Sequence, residues 1–288
     1  MNSIFSLFGR GIEQQEHRIG KQGLFVREWR PQHVRFPYPI VCIHGAFAGV
    51  GTWRIIAPYL ARRGFRCVTF ALRGHPKSKR INLSGVSCDD YVQDIVEVIT
   101  TLKLSDPMLI GHSMGGTLAL QYAAAYDVRG IIAIDPTIPA EVPISRLPAW
   151  RLKYISDVPM FRELGVSDEW ELAKQFVSDM PRRYMHTFRR VLHFIESGHA
   201  LRELAQGVSV PPDKLHNIPI LVLAAEMRKS LVVDIPLADV KALAEQYGAE
   251  FTVIDSTTHV GIVLGIHARE TARRIIEWLI RTNKRDLR

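Results

Sequence analysis

Residues 109–116 read Leu-Ile-Gly-His-Ser-Met-Gly-Gly, so an apolar run ends in Gly111-x-Ser113-x-Gly115. A serine framed by two glycines suits a strained strand-to-helix turn, where a side chain at either glycine would collide with neighbouring backbone. Such a turn lifts the serine oxygen to the carboxyl edge of a sheet, which makes Ser113 a candidate nucleophile. The competing reading is a glycine-rich turn around a buried serine. Context favours the turn with chemistry: Pro107-Met108-Leu109-Ile110 is apolar enough for a buried parallel strand, and residues 117–126 are strong helix formers.

A serine hydroxyl attacking an acyl carbon needs donors for the oxyanion that develops. Ile43-His44-Gly45-Ala46-Phe47 ends another strand-like run, and its glycine allows the backbone to approach the nucleophile. The N–H groups of Ala46 and Met114 are the expected oxyanion donors. His44 reads as a hydrogen bonder that organises this loop. The base comes late if the chain order is serine, acid, histidine. His259 meets that condition, because it lies between the last strand-like run and the final amphipathic helix. As neutral imidazole it can take the serine proton and return it to the leaving group. His75, His112, His186, His193, His199 and His267 read as surface or packing residues.

The elements that must position these groups alternate in type. Apolar runs at 23–28, 40–43, 66–71, 108–110, 130–134, 218–224 and 250–254 predict strands. Helical patterns at 52–63, 88–102, 114–126, 237–247 and 268–282 fall between them. This alternation predicts an α/β fold, a doubly wound and mostly parallel sheet. Between Thr137 and His216 the strands stop, and prolines and large rings such as Trp150, Trp170 and Phe188 crowd a helical pattern. A helical cap inserted after the strand that follows the serine's helix is expected, roofing an apolar pocket. The expected division is a core over 1–137, a cap over 138–215 and the rest of the core over 216–288.

A chain of 288 residues with 47% hydrophobic and 23% charged residues has the balance of an ordinary globular protein. Its net charge of +8 is scattered and accompanied by no nucleic-acid-binding motif, so no nucleic-acid partner is expected. Cys42, Cys67 and Cys88 do not make a disulfide framework. No stretch is long and apolar enough for stable membrane insertion, and Met1 to Gly9 lacks the basic start of a signal peptide. A cytoplasmic location is the expectation. No His, Asp or Glu cluster has metal-ligand spacing, and no metal site is expected.

Several of these pieces together resemble the α/β-hydrolase superfamily, specifically its small cap-bearing serine esterases and lysophospholipase-like members. They are His44-Gly45-Ala46-Phe47 followed by Trp53, the loop Leu72-Arg73-Gly74-His75, the run Gly111 to Gly116, and the strand, loop, His259 and helix that close the chain. The resemblance covers nearly the whole chain. It implies a serine hydrolase that cleaves an ester, thioester, lactone or amide through an acyl-serine, without metal or organic cofactor, on a small acyl substrate with an apolar portion. The same superfold also hosts lyases, peroxidases and silent binders, so a binding protein or lyase with weak turnover is the alternative.

The acid departs from the family pattern. Relatives usually carry an aspartate just after the strand at 220–224, whereas this chain has Ala225-Glu226-Met227-Arg228. Asp234 is the first choice, because the run from Asp234 to Val240 resembles the family's acid loop after an insertion. Asp135, at the end of the strand after the serine's helix, is the second, since some members carry the acid there. Glu226 is the third, and a dyad without an acid is the last. Pro76 also stands where relatives have a glycine, which stiffens that loop.

Overall fold

The computed structural model describes residues 11–146, 196–227 and 235–285. Eight strands form one sheet: β1 (Ile12–Ile19), β2 (Leu24–Pro31), β3 (Ile40–Ile43), β4 (Cys67–Phe70), β5 (Met108–His112), β6 (Gly130–Ile134), β7 (Ile220–Met227) and β8 (Glu250–Thr258). Their order is β1-β2-β4-β3-β5-β6-β7-β8. The pairs from β4 through β8 are parallel, and β1 and β2 join antiparallel at one edge. The helices are α1 (Ile56–Ala61), α2 (Cys88–Thr101), α3 (Met114–Ala123), α4 (Gly198–Gln206), α5 (Leu237–Gln246), α6 (Gly261–Leu264) and α7 (Ala268–Arg285).

Alternation along the central strands divides the core into two layers, because successive side chains face opposite sides of a sheet. Val41, Ile43, Leu109, Ile131 and Val222 pack with α2, α3 and α5. Ile40, Cys42, Ile110, Ile132 and Leu223 pack with α1, α6 and α7 on the other face. Every residue of β3, β5 and β6 is buried, which explains their unbroken apolar runs. This is the doubly wound sheet that the alternation predicts.

β1 is absent from the sequence expectation. Its residues, Ile-Glu-Gln-Gln-Glu-His-Arg-Ile, carry no alternating apolar signal, and only Ile19 is buried. Backbone pairing with β2 through a tight turn holds it in place, since Gly20 and Gly23 both have left-handed φ values, 66° and 55°. β8 runs on to Thr258, so the segment expected as a loop before His259 belongs to the strand. A register shift at Ala225/Met227, with Ser256 at φ 53°, bends that extension.

The strand order turns back at β3, with β4 on one side and β5 on the other. In open α/β sheets, ligand sites gather at the carboxyl ends of strands at such a point. Gly45 and Ala46 follow β3, Ser113 follows β5, Asp135 follows β6 and His259 follows β8. Of the expected cap, residues 147–195 lie outside the described residues, as does Asp234. Among the described residues no helix is long and apolar enough to cross a membrane.

Candidate active site

Ser113 sits at φ 55° and ψ −124°, immediately before α3. A non-glycine residue there is strained, and such strain persists only where the surroundings enforce it. They do so by close approach. A Cβ on Gly111 would stand 2.0 Å from the carbonyl oxygen of Gly115, and a Cβ on Gly115 would stand 2.2 Å from that of Ile43. The motif glycines are therefore where helix α3 presses on β5 and on the end of β3. Ser113 is pinned through its N–H, which donates to the Ile134 carbonyl at 2.9 Å.

The loop after β3 comes equally close: a Cβ on Gly45 would lie 2.9 Å from the Cβ of Ser113. His44 holds this loop in the organising role expected of it. Its Nδ1 donates to the Gly45 carbonyl at 2.8 Å and its Nε2 accepts from the Leu72 N–H at 3.1 Å. Met114 is the first residue of α3, where backbone N–H groups have no intrahelical acceptor. That orphan N–H and the one on Ala46 belong to the two segments that flank Ser113.

His259 is buried, and its Nδ1 donates to the Asp135 carboxylate at 2.6 Å. Asp135 is fully buried, at φ 45° just past β6, and its second oxygen accepts from the Ala225 N–H at 3.2 Å. Its own N–H donates to the Leu223 carbonyl at 2.6 Å. The carboxylate that His259 meets is Asp135, the second choice of the sequence, while Asp234, the first choice, lies outside the described residues. Glu226 is engaged elsewhere, accepting from the Ser256 N–H at 2.7 Å at the exposed bend of β8.

The sequence reading passed over His112. Its Nε2 donates to the His259 carbonyl at 2.7 Å, and the two rings lie 4.9 Å apart. Burial, reinforced by the neighbouring His259, depresses the His112 pKa to about 3. It is therefore a neutral donor that ties the backbone of His259 to the residue preceding Ser113. The only hint in the sequence is its place inside the Gly-x-Ser-x-Gly motif. Among the described residues no group of three or more His, Cys, Asp or Glu side chains is arranged to hold a metal ion.

The Alpha/beta hydrolase family model matches residues 40–274, and the chain belongs to that family. It is 34% identical over 135 residues to the AB hydrolase superfamily protein YisY of Bacillus subtilis, covering 46% of this chain and 47% of that protein. It is 32% identical over 171 residues to the human (Lyso)-N-acylphosphatidylethanolamine lipase, covering 52% of this chain and 48% of the lipase. The chain thus spans about half the length of these curated relatives. Its fold is shared with a thermophilic esterase from Thermogutta terrifontis at a TM-score of 0.69 and 19% identity, over 94% of this chain and 99% of the esterase.

Proposed function

We propose that the chain is a serine hydrolase that cleaves a carboxylic ester, or a related thioester or lactone, through an acyl-serine intermediate. The observation that carries this reading is the bond between Asp135 and His259 Nδ1 at 2.6 Å, which leaves Nε2 of the imidazole as the basic nitrogen. In this mechanism Nε2 of His259 takes the Ser113 hydroxyl proton as Oγ attacks the acyl carbon. The carbonyl oxygen becomes an oxyanion held by the N–H groups of Ala46 and Met114. The imidazolium then protonates the leaving alcohol or thiol, and the acyl-serine remains. Water enters, gives its proton to His259 and releases the acid. Asp135 stays ionised throughout, holding the tautomer and stabilising the imidazolium.

A small acyl substrate with an apolar portion fits the ring-rich sequence of residues 147–195, and a relative named as an acylphosphatidylethanolamine lipase agrees with it. The three buried, free cysteines support a reducing, cytoplasmic setting. The alternative, a silent binding protein or a lyase, is motivated by Arg228 where relatives carry an acid. Asp135 supplies a carboxylate by another route and weakens that motive. Turnover of p-nitrophenyl esters of increasing acyl length tests the proposal. Hydrolysis that vanishes in Ser113→Ala supports it, and no hydrolysis at any length by folded wild type favours the alternative.

A further inference from the structure

Glu196 is buried to 1% exposure, beside His75 at the same exposure, and no step of the proposed reaction uses either. The Glu196 carboxylate accepts four hydrogen bonds. One oxygen takes the Tyr91 hydroxyl and the Ser197 N–H, the latter at 2.8 Å. The other takes His75 Nε2 at 3.0 Å and the N–H of Phe47 at 3.2 Å. His75 Nδ1 in turn donates to the Arg73 carbonyl at 3.0 Å, so both ring nitrogens are donors and the ring is an imidazolium. Burial alone would push His75 toward neutrality, but the charge and hydrogen bond of Glu196 outweigh it and raise its pKa.

This pair is anchored on one helix. Arg73 N–H and Nε bind Asp94 at 2.7 and 2.9 Å, and its guanidinium also reaches Asp90 at 2.7 Å. Asp90, Tyr91 and Asp94 all belong to α2, whose start is fixed by a capping box between Ser87 and Asp90. A buried ion pair is a weak source of stability, because desolvation offsets most of its attraction. What it holds is therefore informative: Phe47, at φ 59°, is the next residue after Ala46. Gly45, on the other side of Ala46, is pressed against Ser113.

We propose that Glu196, charged and oriented by His75 and Tyr91, is a positioning residue that fixes the Ala46 peptide as an oxyanion donor by holding Phe47 in its left-handed conformation. This rests on the reading of Ser113 as nucleophile and Ala46 N–H as an oxyanion donor. Without the carboxylate, Phe47 relaxes toward negative φ and the Ala46 N–H turns off the developing charge. The transition state suffers, while ground-state binding does not.

The test compares full-length wild type, Glu196→Gln and Glu196→Asp in hydrolysis of p-nitrophenyl butyrate and in inhibition by butylboronic acid, whose serine adduct is a tetrahedral anion. Glu196→Asp keeps the charge opposite His75, which protects the fold, but withdraws the carboxylate by one methylene from Phe47. The expected result is a fall in kcat of about tenfold to hundredfold with KM within about threefold, and an equal rise in the boronate inhibition constant. Fluorophosphonate labelling of Ser113 should still reach completion on long incubation. Unchanged kcat and boronate inhibition in a folded Glu196→Asp, or a change confined to KM, would overturn the positioning role alone. A wild type that neither labels nor turns over would remove the hydrolase reading, and this role with it.

Discussion

The Asp135 carboxylate and the imidazole of His259, 124 residues apart in sequence, meet at 2.6 Å in the buried layer at the carboxyl edge of the sheet. Each leaves a different strand, β6 and β8, and each is held by backbone bonds independent of the other. The contact is therefore preorganised.

Replacing Asp135 with asparagine keeps the shape but offers His259 an amide. The expected loss in ester kcat is about 10³-fold to 10⁴-fold, as when an orienting carboxylate is replaced in a triad. Asp234→Asn should stay within about twofold of wild type by the same reasoning, since the orienting site is already filled. Steady-state kinetics of the two variants on one ester decides it. A larger loss at Asp234 would return that residue to the head of the candidates.

The core sheet and Ser113 were legible because their signals are local: continuous apolar runs for buried parallel strands, and two glycines where backbones touch. His259 was legible through chain order. The carboxylate that bonds His259 ranked second, because a carboxylate's partner is set by where two distant strands end, and the run after Asp234 resembles an acid loop. β1 was hidden because an edge strand can be held by backbone bonds with no apolar pattern. Glu196 and His75 escaped for the same reason as the acid: their meaning lies in contacts across 121 residues of chain.

The fit at Gly115 makes a sharp stability prediction. Gly115→Ala would place a methyl 2.2 Å from the Ile43 carbonyl oxygen, so backbone must move, and a loss of more than about 3 kcal/mol is expected. Gly248, at φ 61° with open space within 4 Å of where a methyl would stand, should cost only about 1–2 kcal/mol when changed to alanine. Urea unfolding of both variants checks the contrast, and equal losses would contradict the close approach of α3 to β3.

His112 should make the fold acid-sensitive. Its folded pKa near 3 lies below the ordinary 6.5, so between these values the unfolded chain binds a proton that the folded protein refuses. Stability is therefore lost as pH falls through that window, by about 3 kcal/mol from pH 7 to pH 4 for this group alone. His112→Gln keeps a donor for the His259 carbonyl but cannot titrate. The wild type should lose that much more than the variant on acidification, read by urea unfolding at both pH values. Parallel losses would mean His112 is protonated in the folded protein.

The most direct test of Ser113 as an activated nucleophile is the mass of the intact protein after treatment with a fluorophosphonate, with the modified peptide sequenced, for wild type and Ser113→Ala. One phosphonyl group on Ser113 in the wild type and none in the variant is the predicted result, since only an activated serine displaces the fluoride. No label on folded wild type, or a label that persists in Ser113→Ala, would contradict it.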